Sequence, residues 1–283
     1  MRFQRYGNTK DFGDDVLEIL LEYEVENNLP ISFIYNELNQ DTSSWLMATV
    51  KDDTGAVLLT AACTPPFNLV LFETRKVPNN AAMKLLSDEL KSMNFSIPGI
   101  LAAQEPANRF AVIHAGENHY RQNISMNVMR LDKINPIPKS PGHCRVLQAD
   151  DLFFTPYWER AFAEDCRVDV LDIPAYVERI RTRLGKDLHY IWENEFPVSQ
   201  AVFGRSTQTN AVISGVYTPP QYRGKGYASS VVADLSQSLL DRGHKFCCLF
   251  ADAQNPISCG IYRKIGYQDL FIFEDLKFEA DPR

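Results

Sequence analysis

The decapeptide Thr218-Pro219-Pro220-Gln221-Tyr222-Arg223-Gly224-Lys225-Gly226-Tyr227 joins an apolar strand pattern at 211–217 to a helical one, a setting suited to binding phosphate. Gly224 and Gly226 permit backbone conformations closed to other residues and let a ligand approach without a Cβ in the way. From Ala228 onward, Ala228, Val231, Val232, Leu235 and Leu239 recur at helical spacing, and Arg242-Gly243 closes the helix. Amides at the start of such a helix have no intrahelical acceptor and carry the positive end of its dipole, which makes a seat for a pyrophosphate. Arg223 and Lys225 add cationic charge beside it.

Two other phosphate-binding patterns fit poorly. The string Gly-x-x-x-x-Gly-Lys-Ser/Thr is absent. A dinucleotide fold would use Gly224-x-Gly226 with Asp252 as its ribose-binding acid. However, Ser229 stands at the third glycine, a Pro-Pro turn follows the strand, and only 31 residues follow Asp252.

A second element follows the helix. Phe246 to Ala251 is a continuous apolar run expected to form a buried strand. Beyond it, Asn255 suits an N-cap, Pro256 the first helical position and Gly266 the helix end. Ile257, Ile261 and Ile265 are expected as the core stripe of this helix, with Ser258 and Tyr262 on an adjoining edge.

The succession of strand, Arg223-x-x-Gly226-x-Ala228, helix, strand, Asn255 and Tyr262-Arg263-Lys264-x-Gly266-Tyr267 resembles the GNAT superfamily of N-acetyltransferases. The resemblance is specific over 210–275 and extends back to about 144. It implies acetyl-CoA as acetyl donor. The backbone of Val216, Tyr217 and Thr218 would pair with the pantetheine arm, and the turn from Arg223, with amides of Gly224, Lys225, Gly226, Tyr227, Ala228 and Ser229, would take the pyrophosphate. Asn255 would contact the cofactor near the acetyl group or pantetheine, and Tyr262 would protonate the leaving thiolate. The implied reaction is direct attack by a neutral amine, without a covalent enzyme intermediate. Glu164, Asp165, Glu193, Glu195 and Asp252 are candidate bases, each also readable as a solvated surface acid, and water is an alternative.

The elements that must position these residues alternate in both halves of the chain. In the second half a strand at 144–148 leads into helices near 156–165 and 174–184, then strands at 188–194, 198–205 and 211–217. Residues 135–143, NPIPKSPGH, can neither propagate a helix nor sit in a central strand, so the expected domains are 1–139 and 140–283. Gln104, Pro106 and Gly116 reappear as Gln254, Pro256 and Gly266 at a common offset of 150 residues. Thr64-Pro65-Pro66 reappears as Thr218-Pro219-Pro220 after a strand-like run. The expectation is an α+β protein of two tandem GNAT-like lobes, each a mixed, largely antiparallel sheet flanked by helices. The first lobe is degenerate: it has no glycine-rich turn, and Glu105 and Val112 stand where the second copy has Asn255 and Tyr262. Its apolar Val57, Leu58, Leu59, Val70 and Leu71 read as core.

Composition agrees with a globular chain, at 45% hydrophobic and 23% charged residues. A net charge of −7, without a dense Lys/Arg block, gives no nucleic-acid footprint and tilts towards a cationic partner. Apolar runs are far shorter than the roughly 20 residues of a membrane helix, and the N-terminal residues lack an apolar signal region, so a cytoplasmic location is expected. The six cysteines show no metal-ligand spacing and read as reduced structural thiols. The function expected is N-acetylation of a small-molecule or peptide amine, with Tyr262 as general acid. The alternative is a protein that binds acyl-CoA, or a partner, without turnover.

Overall fold

The computed structural model describes residues 1–36, 42–74, 77–207 and 209–279. The chain forms two compact units, one of Met1–Met126 with the chain from Phe271 onward, the other of Asn127–Leu270.

The first unit runs β1 (Arg2–Arg5), α1 (Thr9–Glu22), α2 (Asn28–Asn36), β2 (Leu46–Lys51), β3 (Val57–Cys63), β4 (Leu69–Glu73), α3 (Asn80–Ser92), β5 (Gly99–Ala103), α4 (Gln104–Ala115) and the first part of β6 (Tyr120–Leu131). Helix α1 begins where Asn8 accepts a hydrogen bond from the Asp11 amide, and it buries Phe12, Val16 and Leu20, a stripe at i, i+4, i+8. Strands β2 and β3 are almost wholly buried and read as unbroken apolar runs. Val57, Leu58, Leu59, Val70 and Leu71 are all core residues.

The second unit repeats this sequence of elements. It has β7 (His143–Val146), α5 (Thr155–Asp165), α6 (Ile173–Arg181), β8 (His189–Asn194), β9 (Phe196–Ser206), β10 (Asn210–Tyr217), α7 (Tyr227–Asp241), β11 (Phe246–Asp252), α8 (Pro256–Ile265) and the start of β12 (Gln268–Phe278). Its sheet order is β7-β8-β9-β10-β11-β6, antiparallel from β7 to β10 and parallel between β10 and β11. The core lies under α7, whose Val231, Val232, Leu235 and Leu239 are fully buried.

Three differences from the sequence reading have physical causes. On α8 the buried stripe is Cys259, Tyr262 and Ile265, whereas Ile257 is 76% exposed. The whole first turn of that helix, from Asn255 to Ile257, faces solvent, so the helix joins the core only from Cys259. The Thr-Pro-Pro pairs do not stand on equivalent elements: Thr64-Pro65-Pro66 follows β3, while Thr218-Pro219-Pro220 follows β10, the counterpart of β4. The three landmarks offset by 150 residues do correspond, since α4 and α8 occupy the same place in the repeat. Each ends at a glycine of positive φ, Gly116 at +97° and Gly266 at +121°. Finally, β12 is not local to the second half. Its residues Phe273–Lys277 pair antiparallel with Ala103–Gly99 of β5, which completes the first unit's sheet. Glu274, 1% exposed, accepts there from Gln104, Gln122 and Ser125.

Candidate functional site

Strand β10 is built to leave its neighbour. The parallel pairing with β11 spans only Asn210↔Phe246 to Val212↔Cys248. Toward its end the register against β9 shifts between Val212 and Ile213 and again between Ser214 and Tyr217. Gly215 sits within this irregular stretch at φ +58°, and its missing Cβ would lie 3.1 Å from Val202 Cγ2. Beyond Val212 and Cys248 the two strands therefore diverge, and the backbone of Val216, Tyr217 and Thr218 borders the gap. Two carbonyls of this stretch already have side-chain donors. Tyr217 O accepts from Ser199 Oγ at 3.2 Å and Thr218 O from Arg223 Nε at 2.9 Å.

The glycine turn stands at the mouth of that gap. Pro220–Tyr222 form a short 3-10 turn, Arg223 is extended, and Gly224 and Gly226 take φ of +76° and +79°. Nothing lies within 4 Å of where a Gly224 Cβ would stand, whereas a Gly226 Cβ would meet Ser140 Oγ at 2.7 Å. Residues 223–226 are exposed and Ala228 and Ser229 half-buried. Helix α7 starts at Tyr227 with Gly226 as N-cap and no side-chain cap, so no side chain covers its first amides. Tyr227 itself is a core residue, its hydroxyl accepting from Asn194 at 3.0 Å.

The guanidinium expected to add charge to this turn is engaged elsewhere. Arg223 donates to Asp165 at 2.8 Å and lies over the Tyr217 ring. It ties the turn to the end of α5. Lys225 is exposed.

Helix α8 supplies the remaining candidates. Asn255 is its N-cap, with Oδ1 accepting from the Ser258 amide at 3.1 Å. Tyr262 lies two turns further on, 9% exposed, its ring edge-on to Tyr267. Burial raises its phenol above the ordinary tyrosine range, and Cys166 and Cys259 add to the shift. Cys166, at the end of α5, is itself pushed up to about 11 by burial, Asp165 and Asp252. The ends of α5, β11 and α8 thus share one neighbourhood around the Tyr262 hydroxyl.

Residues 195–275 match the FR47-like protein family, and no curated protein sequence matches the chain. Among solved structures, the GCN5-related N-acetyltransferase from Sphaerobacter thermophilus is 13% identical at a TM-score of 0.70, over 99% of this chain and 97% of that one. An acetyltransferase of the GNAT family from Colwellia psychrerythraea is 8% identical at 0.65, over 99% and 100%. A tandem GNAT protein from the clavulanic acid biosynthesis pathway is 12% identical at 0.60, over 100% and 99%. The fold is that of the GNAT acetyltransferases.

Within that fold the chain carries two GNAT-like lobes in tandem, and the first shows what the second has kept open. In the first lobe β4 and β5 also pair over two residues only, Leu69↔Ile100 and Val70↔Leu101. There the following helix is closed from within. Asn79 Oδ1 accepts from the Ala82 amide at 3.0 Å, and the Asn79 amide donates to Glu73 Oε1 at 2.9 Å. Glu73 is also ion-paired with Arg109, its side chain 6% exposed. A carboxylate of the chain occupies the start of α3, where the GNAT fold of the second lobe presents bare amides.

Of the carboxylates expected as bases, Glu193 is held by Arg145 at 2.6 Å, Glu164 by Arg160 at 3.0 Å and Asp165 by Arg223. Glu195 is exposed at the β8–β9 turn with φ +64°. Asp252 accepts from the Gln254 amide at 2.8 Å and lies on the Cys166 side of the site. The sequence reading missed Ser140 and Ser230, which touch the turn, because one lies in a stretch that reads as linker and the other as an ordinary helix residue. It also missed the aromatic row Phe154, Trp158 and Tyr217, centroids 4.6 and 6.2 Å apart, which only the packing of α5 on β10 creates.

Proposed function

We propose that the protein is an N-acetyltransferase that moves an acetyl group from acetyl-CoA to an amine. The observation that carries this reading is the uncapped start of α7, set behind two left-handed glycines at the mouth of the β10–β11 gap. Amides of Gly224 through Ser229 would hold the pyrophosphate, with the dipole of α7 favouring negative charge there. The absence of a Cβ at Gly224 fits the approach of a phosphate to the backbone. Val216, Tyr217 and Thr218 would line the pantetheine arm, with the carbonyls of Tyr217 and Thr218 also bonded within the chain. The Nδ2 group of Asn255 is the part of that side chain available to a ligand, because Oδ1 serves as the cap.

When bound, acetyl-CoA supplies an activated thioester. The chain's task is then to hold a neutral amine against it and to supply a proton as the thiolate leaves. Orientation within one cleft accounts for much of such an acceleration. Tyr262 is suited to the proton: burial keeps its phenol protonated through neutral and mildly alkaline pH, so it donates and does not accept. Asp252 is the carboxylate best placed to receive the amine proton, since the other candidates are ion-paired or exposed on a turn. The acceptor class is a small-molecule or peptide amine, and the net charge of −7 favours a cationic one.

The test is thiol release from acetyl-CoA over a panel of amines. Wild-type protein should release thiol with at least one amine, and Tyr262→Phe should lower kcat by about 100-fold or more while binding acetyl-CoA as before. Equal rates for the two proteins would remove Tyr262 from the mechanism. Binding of acetyl-CoA without turnover of any amine would favour the binding-protein alternative.

A further inference from the structure

The stretch Asn135–Gly142, within the proline-rich segment read from sequence as a domain boundary, is fastened along its length to the rest of the second unit. The Asn135 amide donates to Ile265 O at 2.8 Å, at the end of the helix that carries Tyr262. Lys139 is ion-paired with Asp234 of α7, and Trp192 Nε1 donates to Pro141 O at 3.0 Å. Gly142, at φ +113°, packs so closely on Glu193 O that a Cβ there would lie 2.2 Å away.

Between these anchors stands Ser140. Its hydroxyl donates to Lys225 O at 2.7 Å, and its amide donates to Ser230 Oγ at 2.9 Å. Ser230 Oγ in turn donates to Gly226 O at 3.2 Å. The three bonds join the connector, the turn and the first turn of α7 in one ring. In a planar trans peptide the carbonyl and the following N–H point in opposite directions. Tying Lys225 O to Ser140 therefore aims the Gly226 N–H away from the connector. Gly226 is required on two counts, its left-handed φ and the 2.7 Å separation between Ser140 Oγ and a would-be Cβ.

We infer that Ser140 is a positioning residue for the phosphate turn, fixing the Lys225–Gly226 peptide in the orientation that receives the pyrophosphate of acetyl-CoA. The inference rests on the proposed function. Loss of one such neutral hydrogen bond corresponds to a change of about 3- to 10-fold in affinity.

The experiment measures binding of acetyl-CoA, and of S-acetylpantetheine, which lacks the pyrophosphate, to wild-type protein, Ser140→Ala and Ser140→Thr. Ser140→Ala should bind acetyl-CoA about 3- to 10-fold more weakly and S-acetylpantetheine as wild type does, while Ser140→Thr, which keeps the hydroxyl, should stay within about twofold. Melting temperatures of the three proteins should agree. Unchanged acetyl-CoA binding in Ser140→Ala, equal weakening of both ligands, or failure of Ser140→Thr to restore affinity would overturn the inference alone. Failure of the wild-type protein to bind acetyl-CoA would overturn the acetyltransferase reading and this inference with it.

Discussion

Tyr262 and His189 show how burial sets protonation in this chain in two directions. The phenol is raised and stays a donor. His189, fully buried and bonded to Gln200 at 3.1 Å, is lowered to about 4 by burial and by the charge of Arg183. His114, stacked on Phe110, is lowered to about 4 by burial and Lys91. Both stay neutral in the folded chain down to about pH 4, whereas in the unfolded chain they take up protons below about pH 6.5. Stability tied to these groups is therefore present above about pH 6.5 and lost as pH falls from there to about 4. Thermal unfolding followed across that range should show Tm falling, and falling less steeply in His114→Gln, which removes one of these titrations. A flat Tm would contradict the assignment. At this scale the sequence was informative wherever a residue type has one use, as with Gly224, Gly226 and the N-cap Asn255. It gave Arg223 only as a charge beside the turn, and not its tie to Asp165, which depends on the packing of α5 against β10.

At the scale of elements, the helix following the fourth strand of each lobe has been treated in opposite ways. Helix α7 begins with bare amides behind Gly226, while α3 begins with Asn79 as cap and the Glu73–Arg109 pair beside it. A carboxylate at a helix start satisfies both the orphan amides and the dipole, so the first lobe has no need of an external anion there. Glu73→Gln should then lower stability by about 3 kcal/mol, since Arg109 is left largely buried without its main partner, and should leave acetyl-CoA affinity unchanged. Chemical denaturation beside calorimetry checks both halves of this statement. A variant of unchanged stability, or one with altered acetyl-CoA affinity, would contradict it. The loss of the glycine turn was legible in the sequence, as were the helices and strands of the second half from β7 to α8 to within a few residues. The substitute for that turn was not, because Glu73 and Arg109 meet only when β4 and α4 pack together.

For the whole molecule, no helix among the described residues is long and apolar enough to cross a membrane. The units are not two consecutive stretches of sequence. The cut expected at 139/140 leaves β12 with the second half, yet β12 supplies the first unit with the strand beside β5 and with the buried Glu274. The strand at Gln268–Phe278 was not read from the sequence, because its partner is remote. Nothing in the local pattern signals a partner about 170 residues earlier, the separation spanned by the Gln104–Glu274 bond. A fragment of residues 1–139 should accordingly lack a cooperative unfolding transition, since β5 and Gln104 lose their partners, and a synthetic peptide of residues 268–279 should restore structure to it. A fragment that melts cooperatively alone would show that the first unit does not need the returning strand.

Whether the turn at Gly224–Gly226 holds acetyl-CoA, as proposed, is decided by calorimetric titration of acetyl-CoA into wild-type protein and Gly226→Val. Valine would strain the left-handed backbone at φ +79° and press on Ser140 Oγ, so the turn should lose its shape while the core beneath α7 stays intact. The wild type should bind with micromolar affinity and the variant at least about 30-fold, or roughly 2 kcal/mol, more weakly at nearly unchanged melting temperature. Equal affinity in the two proteins, or no binding by the wild type at millimolar acetyl-CoA, would contradict the proposal.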